Sequence, residues 1–358
     1  MVNFIDAFAK KHKLNPVGLD VVISLIPGVI FAFLAYGISP VLVIVTSVAS
    51  AVLTEYLFSL VFLNKKGTVK DMTCVISSML LAFLLPPFTP LYTVAFGASM
   101  AMIFGKLAFG GLGKNRFNPA VMGREFITVF LFSTLAGSLI KDHSPKYLHI
   151  FDKMNLPFVD RILWDPVGNI GNYSPLFLIL GGLYLLYKKR ITFHTPLCLF
   201  LVLLLGINIL RMLGIYLPYS FGGPTLIAAF YIATDPVTTS NNKNGKIFQG
   251  ILLGIFILIF LFFGLNFSIF KYKYFTLSIL SLNLFVPTIN KITKTKENEP
   301  FNIIKTLGLA VVMIVFVILL SNVIILGYLN YILYFYILYA AYKFFQIKTT
   351  NNKKPAAV

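Results

Sequence analysis

The sequence contains two glycine-rich turns, each followed by a polar residue and a proline. In the first, Phe109-Gly110-Gly111 leads through basic residues to Asn118-Pro119. In the second, Phe221-Gly222-Gly223 leads to Asp235-Pro236, and the two prolines are 117 positions apart. Because a residue before proline is pushed away from helical geometry, each step predicts a helix break with free backbone groups. Paired breaks of this kind point to a binding site in repeat-built membrane proteins.

Two interpretations of the polar groups at these breaks remain open. The N–H groups of Gly110 and Gly111, beside Lys114 and Arg116, would suit an anionic ligand. The same turn could instead be a tight connection whose basic residues set the membrane topology. Thr238, three residues after Asp235, could line a ligand site or cap the next helix.

Composition identifies the class of protein that must position these residues. Hydrophobic residues make up 58% of the 358-residue chain and charged residues 12%, and the mean hydropathy is +0.86. These values exclude an ordinary soluble domain. The apolar runs are continuous rather than alternating, so we predict an all-α polytopic membrane protein with about twelve spans.

The net charge of +18 reflects topology rather than affinity for nucleic acid. Of the 30 Lys and Arg residues, 22 fall in polar gaps that we assign to one side of the membrane, and six fall in gaps on the other. This bias places both termini in the cytoplasm. Two cysteines and four scattered histidines predict no metal site and no hydrolytic centre.

Four acidic residues lie within or at the ends of predicted spans, where charge is costly. Asp20 and Asp235 stand at span ends, where each could bind a ligand or ion or simply cap a helix. Glu55 is deeper and could relay a proton or cation, or face a polar gap. Arg124 and Glu125 are adjacent in a helix, so each should meet a different neighbour, either as cofactor or ion contacts or as a buried structural pair.

At these motifs the chain resembles the NqrB/RnfD family of membrane subunits, found in the Na⁺-translocating NADH:quinone reductase and the Rnf ferredoxin:NAD⁺ reductase. The family's FGGLGxNxFNPAxxGRxF signature is matched by 109–126, with Glu125 in a variable position. Its ATDPVT motif is matched by 233–238. Further similar stretches begin near Leu19, Gly181 and Leu282. The resemblance covers residues 1–293.

The resemblance implies a ten-helix core with interrupted helices, built from two inverted repeats. We place the repeats at roughly 1–140 and 174–293, joined by an external loop at 141–173. Residues 294–358 form a C-terminal extension with two further predicted transmembrane helices, which the resemblance leaves unexplained.

The resemblance also implies a flavin, although the chain departs from the family's covalent attachment. Family members carry FMN on a Thr in an S-G-A-T motif in the loop before the sixth span. Here 141–173 contains no threonine, and S-G-A-T occurs nowhere in the chain. We therefore predict no covalent FMN, and a noncovalent FMN or riboflavin contacted by Gly110, Gly111, Asn118, Arg124, Asp235 and Thr238.

Two functions follow as hypotheses. The first is a membrane subunit of an ion-translocating Rnf/Nqr-type complex in the bacterial cytoplasmic membrane, with redox subunits as partners and with Asp20, Glu55 and Glu125 on an ion pathway for Na⁺ or H⁺. The second is a stand-alone transporter or channel for a small solute that has kept the fold and lost the redox role.

Overall fold

The structure of this chain is a computed structural model. It describes residues 12, 14–64, 67–135, 169–172, 175–217, 222–267, 273–294 and 303–352. The predicted external loop therefore lies almost entirely outside the described residues, as does Phe221.

The described segments are helical. In chain order, the α-helices are α1 (Pro16–Tyr36), α2 (Ile38–Phe62), α3 (Thr73–Phe83), α4 (Leu91–Gly105), α5 (Pro119–Phe130), α6 (Pro175–Tyr187), α7 (His194–Met212), α8 (Gly223–Ile227, continued by a π-helical turn Ala228–Ile232), α9 (Lys243–Gly264), α10 (Tyr274–Thr293), α11 (Ile303–Ile325) and α12 (Leu329–Asn352).

Seven of the described helices are long and apolar enough to cross a membrane: α1, α2, α4, α7, α9, α10 and α11. Three shorter apolar helices, α3, α6 and the α8 segment, accompany them. Large apolar side chains such as Ile30, Val45 and Leu205 are more than half exposed on the outer surface. A surface of this kind needs lipid rather than water around it. The predicted all-α polytopic membrane protein is therefore confirmed.

The breaks between successive helices have local causes in the sequence. Helix α3 ends before Pro86-Pro87, which cannot continue a helix. Helix α5 begins with Pro119 at its first position, and the side chain of Asn118 caps it. Proline at this position loses no helical hydrogen bond, because the first N–H groups of a helix have no partner within it. Helix α5 ends at Phe130 and helical structure resumes at 132–135, and the last part of the span predicted to run from Asn118-Pro119 to near Ile140 lies outside the described residues.

Within the described residues, the same order of neighbours recurs in two five-helix groups. In the first group α4 packs against α2 and α5, and in the second α9 packs against α7 and α10. Between the groups, α1 packs against α6 and α5 packs against α10. This recurrence is what two structural repeats would produce, and the inverted relation and the repeat boundaries stay predictions.

The C-terminal extension, which contains α11 and α12, packs against helices of both five-helix groups. Tyr336 of α12 donates a hydrogen bond from its hydroxyl to the carbonyl of Phe104 at 2.6 Å, and Phe344 packs edge-on against Phe58 of α2. On the other side, Phe316 of α11 packs against Phe285 of α10. The extension is therefore built onto the core instead of being separate from it.

Close packing of α4 on α5 depends on two glycines. A Cβ atom at Gly123 would lie 2.7 Å from the carbonyl oxygen of Gly97, and one at Gly97 would lie 2.3 Å from the side chain of Ile127. Small residues at such crossings let helix backbones approach in a membrane.

We expect Gly123→Ala to lower the free energy of unfolding by about 1–3 kcal/mol, because a backbone carbonyl cannot move aside easily. Gly308→Ala on α11 is the matched control, since a Cβ there meets nothing within 4 Å among the described residues. That control should be neutral or slightly stabilising. Thermal unfolding in detergent measures both, and equal midpoints for the two variants would contradict the packing argument.

Candidate functional site

The two proline breaks meet. The side-chain amide of Asn118 donates a hydrogen bond to Asp235 Oδ2 at 3.4 Å, although the two residues are 117 positions apart. Asn118 Oδ1 meanwhile accepts from the N–H groups of Ala120 and Val121 at the start of α5. One buried side chain therefore both caps a helix and joins it to the second break.

Asp235 is held by a set of short-range donors. Its Oδ2 accepts from the Thr238 hydroxyl at 2.8 Å, and its Oδ1 accepts from the Val237 N–H at 3.3 Å. Burial among these groups raises the pKa of Asp235, and the hydrogen bonds from Thr238, Val237 and Asn118 oppose that rise. Because no cation neutralises it within the described residues, this carboxyl depends on hydrogen bonds alone.

A second layer of polar contacts supports the Asp235 segment. Thr239 donates to the carbonyl of Ala233, and Gln249 of α9 bonds to both Thr239 and the Ser240 N–H. Ser240 in turn donates to Asn290 of α10 at 2.7 Å. The non-helical stretch after α8 is therefore tied to two helices of the second group.

The N–H groups of the glycine turn are not arranged as an anion-binding site would require. The N–H of Gly110 donates to the carbonyl of Leu107, and the N–H of Gly111 donates to that of Lys106. These two N–H groups are therefore engaged within the turn and do not point at a ligand. Lys114 and Arg116 are exposed beside them, and α12 covers Gly110, whose Cβ would lie 3.8 Å from Ile347.

Glu55 has a partner that the sequence did not reveal. Lys106 Nζ lies 2.8 and 2.9 Å from the two Glu55 oxygens and 2.9 Å from Asp71 Oδ2, and it also contacts the Thr73 hydroxyl. Glu55 and Lys106 are both almost completely buried. Lys106 is one of the 22 basic residues that we assigned to one side of the membrane, and the structure shows that its side chain is buried against Glu55.

Asp20 is likewise paired. Its oxygens accept from the Tyr184 hydroxyl and from Arg190 Nε, each at 2.7 Å, and Lys188 Nζ lies 3.7 Å away. The Asp20 side chain is fully buried. This group ties the start of α1 to the end of α6.

Arg124 and Glu125 diverge as the helical geometry predicts. Glu125 Oε1 accepts from the Thr276 hydroxyl of α10, whereas Glu125 Oε2 and Arg124 Nη1 have no hydrogen-bond partner in the described part of the chain. Burial lowers the pKa of Lys273, which lies just before α10. The nearby Glu125 opposes this lowering and Arg124 adds to it. Glu125 lies seven residues along α5 from Asn118, which corresponds to roughly 10 Å.

A small polar cavity lies beside the Asp235 segment. It has a volume of about 110 Å³, and cationic and hydroxyl-bearing side chains line it, among them Arg190, Thr192, Thr239, Ser240 and Lys246. Two cations and several hydroxyls suit a phosphate or a polyol chain. A drug-sized ligand needs about 300 Å³ or more, so the cavity is too small for a whole flavin.

With this geometry in view, the comparison with known families is decisive. Residues 7–299 match the model of the NQR2, RnfD, RnfE family. The chain belongs to this family. The match includes both proline breaks and all three buried charge clusters, and it ends before α11.

Curated relatives agree. The chain is 32% identical over 263 residues to the D subunit of the proton-translocating ferredoxin:NAD(+) oxidoreductase complex of Clostridium ljungdahlii, covering 64% of this chain and 76% of the relative. It is 30% identical over 310 residues to the Na(+)-translocating counterpart of Acetobacterium woodii, covering 80% and 91%. The D subunit of an ion-translocating oxidoreductase complex of Methanosarcina acetivorans is 31% identical over 246 residues, covering 69% and 80%.

Sequence reasoning missed the basic and hydroxyl partners of the buried acids, which are Lys106, Arg190, Tyr184, Lys273 and Thr276, and it missed Asp71, the second acid that binds Lys106. Lys106 had one usable signal, since it follows α4 directly at Gly105 with no intervening polar residue. The other partners come from distant parts of the chain, and their approach depends on helix packing.

We expect Asn118→Asp to destabilise the protein by about 3 kcal/mol at neutral pH, because it keeps the cap but places a second carboxylate against Asp235. The pair's folded pKa lies above the unfolded value, so the free energy of unfolding should fall as pH rises through the folded pKa and recover below the unfolded one. Unfolding midpoints measured against pH test this.

Two further variants control the experiment. Asn118→Ala should lose about 1 kcal/mol of capping energy without the added pH dependence. Combining Asn118→Asp with Asp235→Asn should restore most of the stability by reversing the donor and acceptor. If the double variant is no more stable than Asn118→Asp alone, the direct contact does not matter.

We expect Lys106→Met to cost about 3–5 kcal/mol, because it leaves Glu55 charged and buried without its cation. Adding Glu55→Gln should recover a large part of that loss. The exposed Lys114→Met serves as the matched control and should change stability by less than about 0.5 kcal/mol. Chemical unfolding in detergent measures all of them, and additive losses in the double variant would contradict a direct pair.

Proposed function

We propose that this chain is the D-type membrane subunit of an ion-translocating electron-transport complex. The family match over residues 7–299 carries the proposal, and the names of the curated relatives support it. Electron donors and acceptors such as ferredoxin and NAD(H) would be bound by partner subunits, since the described residues offer neither a metal cluster nor a nucleotide loop.

The proposed ion route uses the buried acids. Asp20 and Glu55 are held by Arg190 and Lys106, so these two acids would exchange an ion only if the fixed cation moved. Glu125 has one oxygen without a partner in the described ranges, which makes it the acid best placed to take up a proton or Na⁺. Asn118 and Asp235 lie on the same route, roughly 10 Å away along α5.

Similarity to the curated relatives does not decide which ion this chain would transport. A proton-translocating and a Na⁺-translocating relative are 32% and 30% identical to the chain. A buried carboxylate such as that of Glu125 could serve either ion, because both bind oxygen atoms of acids.

A noncovalent flavin fits the described residues in part. The cavity beside Asp235 can hold a phosphate or ribityl chain through Lys246, Arg190 and the neighbouring hydroxyls. When bound, the flavin would supply one- or two-electron transfer. The chain's own residues would orient its polar end, and no residue that lines this cavity is an aromatic one that could stack on the ring system.

Orientation follows from charge and contacts together. The more basic gaps precede the starts of α1 and α5 and follow the ends of α2, α4 and α6. Hydrogen bonds of Asp20 with Arg190 and of Asn15 with Lys70 bring several of these helix ends together. We therefore place this side, and both termini, in the cytoplasm and the chain in the bacterial inner membrane.

Purification of the tagged full chain from its native membrane tests the proposal. We expect flavin absorbance, co-purifying redox subunits identified by mass spectrometry, and flavin released into the supernatant by acid precipitation. Flavin retained in the pellet would contradict the noncovalent assignment. Absence of both flavin and partner subunits would favour the stand-alone transporter, which the missing attachment Thr also favours.

Two matched lysine variants test whether the flavin binds in this cavity. Lys246→Met removes a cation of the cavity, whereas Lys243→Met removes an exposed one at the start of α9. If the bound flavin is FMN, Lys246→Met should lower its occupancy about tenfold, and Lys243→Met should leave it unchanged. Equal occupancy in both variants would place the flavin elsewhere.

A further inference from the structure

A second cavity, larger than the polar one, lies between the family core and the C-terminal extension. We call it the apolar cavity, and its volume is about 250 Å³. Helices α5 and α10 of the core form one side of it, and α11 and α12 of the extension form the other. The family match ends at residue 299, so the walls from α11 and α12 lie outside the matched residues.

The surface of the apolar cavity consists of carbon atoms among the residues that the structure describes. Glu125 and Ser281 border the space, but their oxygen atoms do not reach it. A buried water needs two or more polar partners, so the cavity does not suit water. A polar or charged ligand would leave its own groups unpaired there. The group that fits this surface is a hydrocarbon.

The cavity is elongated along two helices. On α10 its lining runs from Leu277 to Leu284, and on α12 it runs from Leu329 to Tyr336. On each helix the lining residues recur at i, i+3, i+4 and i+7, which is a single face. Seven residues of helix correspond to roughly 10 Å. Over that length, a volume of about 250 Å³ gives a mean cross-section of about 25 Å², which is room for one extended hydrocarbon chain.

The apolar cavity opens on the lipid-facing surface. Leu284 and Ile332 line it and are also exposed, so they form its rim, whereas Met122 and Leu333 are buried and form its floor. Beside the rim, Phe335 of α12 is exposed as well. Large apolar side chains exposed in this way need lipid around them. A group that enters past the rim therefore comes from the bilayer.

One end of the cavity lies near helix ends that carry interfacial side chains. Leu329 is the first residue of α12, and Leu277 lies in the first turn of α10. Tyr328 and Tyr331, on either side of Leu329 along the chain, are exposed. Exposed tyrosines are typical of the boundary between lipid headgroups and tails. A lipid whose headgroup rests at this boundary can extend one tail into the cavity.

We propose that the apolar cavity binds one acyl chain of a bilayer phospholipid, which lies between α10 and α12. In a membrane, helices associate through close packing, because lipid tails are as apolar as the side chains themselves. Walls that face an empty space lose dispersion contacts, and an acyl chain restores them. The bound lipid therefore stabilises the contact between the core and the extension without any polar contact inside the cavity.

Photolabelling of the full chain in lipid nanodiscs tests the site. The probe is phosphatidylcholine that carries a diazirine halfway along one acyl chain, and labelled residues are mapped by mass spectrometry. We expect labels inside the cavity, on Leu280 and Leu333 among others, in addition to labels at exposed positions such as Leu338. Labels confined to exposed positions would overturn the proposal.

Two tryptophan variants separate the cavity from the general lipid surface. Leu333→Trp places an indole on the cavity floor, whereas Leu338→Trp places the same group on the exposed side of α12. We expect Leu333→Trp to lower labelling inside the cavity at least about tenfold, because the space is then overpacked, and Leu338→Trp to leave it unchanged. Equal labelling in the two variants would contradict the assignment. If Leu333→Trp does not give a single peak on gel filtration, Leu280→Trp fills the same space from α10.

The dependence of stability on lipid is a second measurement. Repeated detergent exchange removes bound phospholipid, and the natural chain should then unfold at a lower temperature and recover when phosphatidylcholine is added back. Leu338→Trp should respond in the same way, and Leu333→Trp should respond much less because its cavity is already filled. Responses of equal size in these two variants would overturn the proposal. So would a solvent extract of the purified chain that contains a quinone and no phospholipid.

Discussion

A hydrogen bond between Asn118 and Asp235 joins the two places where the chain gives up helical geometry at the edge of its apolar core. Backbone groups cannot be left unpaired at such a depth, because lipid offers them no partner. Asn118 solves part of this problem by capping α5, and Asp235 depends on Asn118 for one of its donors. This contact therefore links the start of α5 to the segment between α8 and α9.

Each remaining acid of the core is placed by the same rule. Removing a carboxylate from water is tolerated only where other groups restore its interactions, and each cluster draws these groups from a different helix. Asp20 connects α1 with the end of α6, Glu55 connects α2 with the end of α4, and Glu125 connects α5 with α10. The buried charges therefore fix how helices sit against one another.

The helices could be predicted from the sequence, whereas the polar side-chain pairs that join them could not. Spans are determined by continuous apolar runs and by proline, both of which are local. The predicted spans Leu91–Gly105 and Ile247–Phe263 therefore lie close to α4 and α9 as the structure has them. The likeness of the two breaks suggested equivalent positions in two repeats. The structure instead shows contact between a residue that opens the fifth helix and one that follows the eighth. The pair of Lys106 with Glu55 was not predictable, because a count of basic residues cannot distinguish an exposed lysine from one that folds back onto a buried acid.

Glu125 differs from the other two buried acids in how its oxygens are satisfied. Asp20 and Glu55 each have both carboxylate oxygens engaged, whereas Glu125 has a partner among the described residues for Oε1 alone, the Thr276 hydroxyl. The proposed ion route therefore depends on the oxygen Oε2, because an ion there would complete a buried carboxylate without displacing a fixed cation.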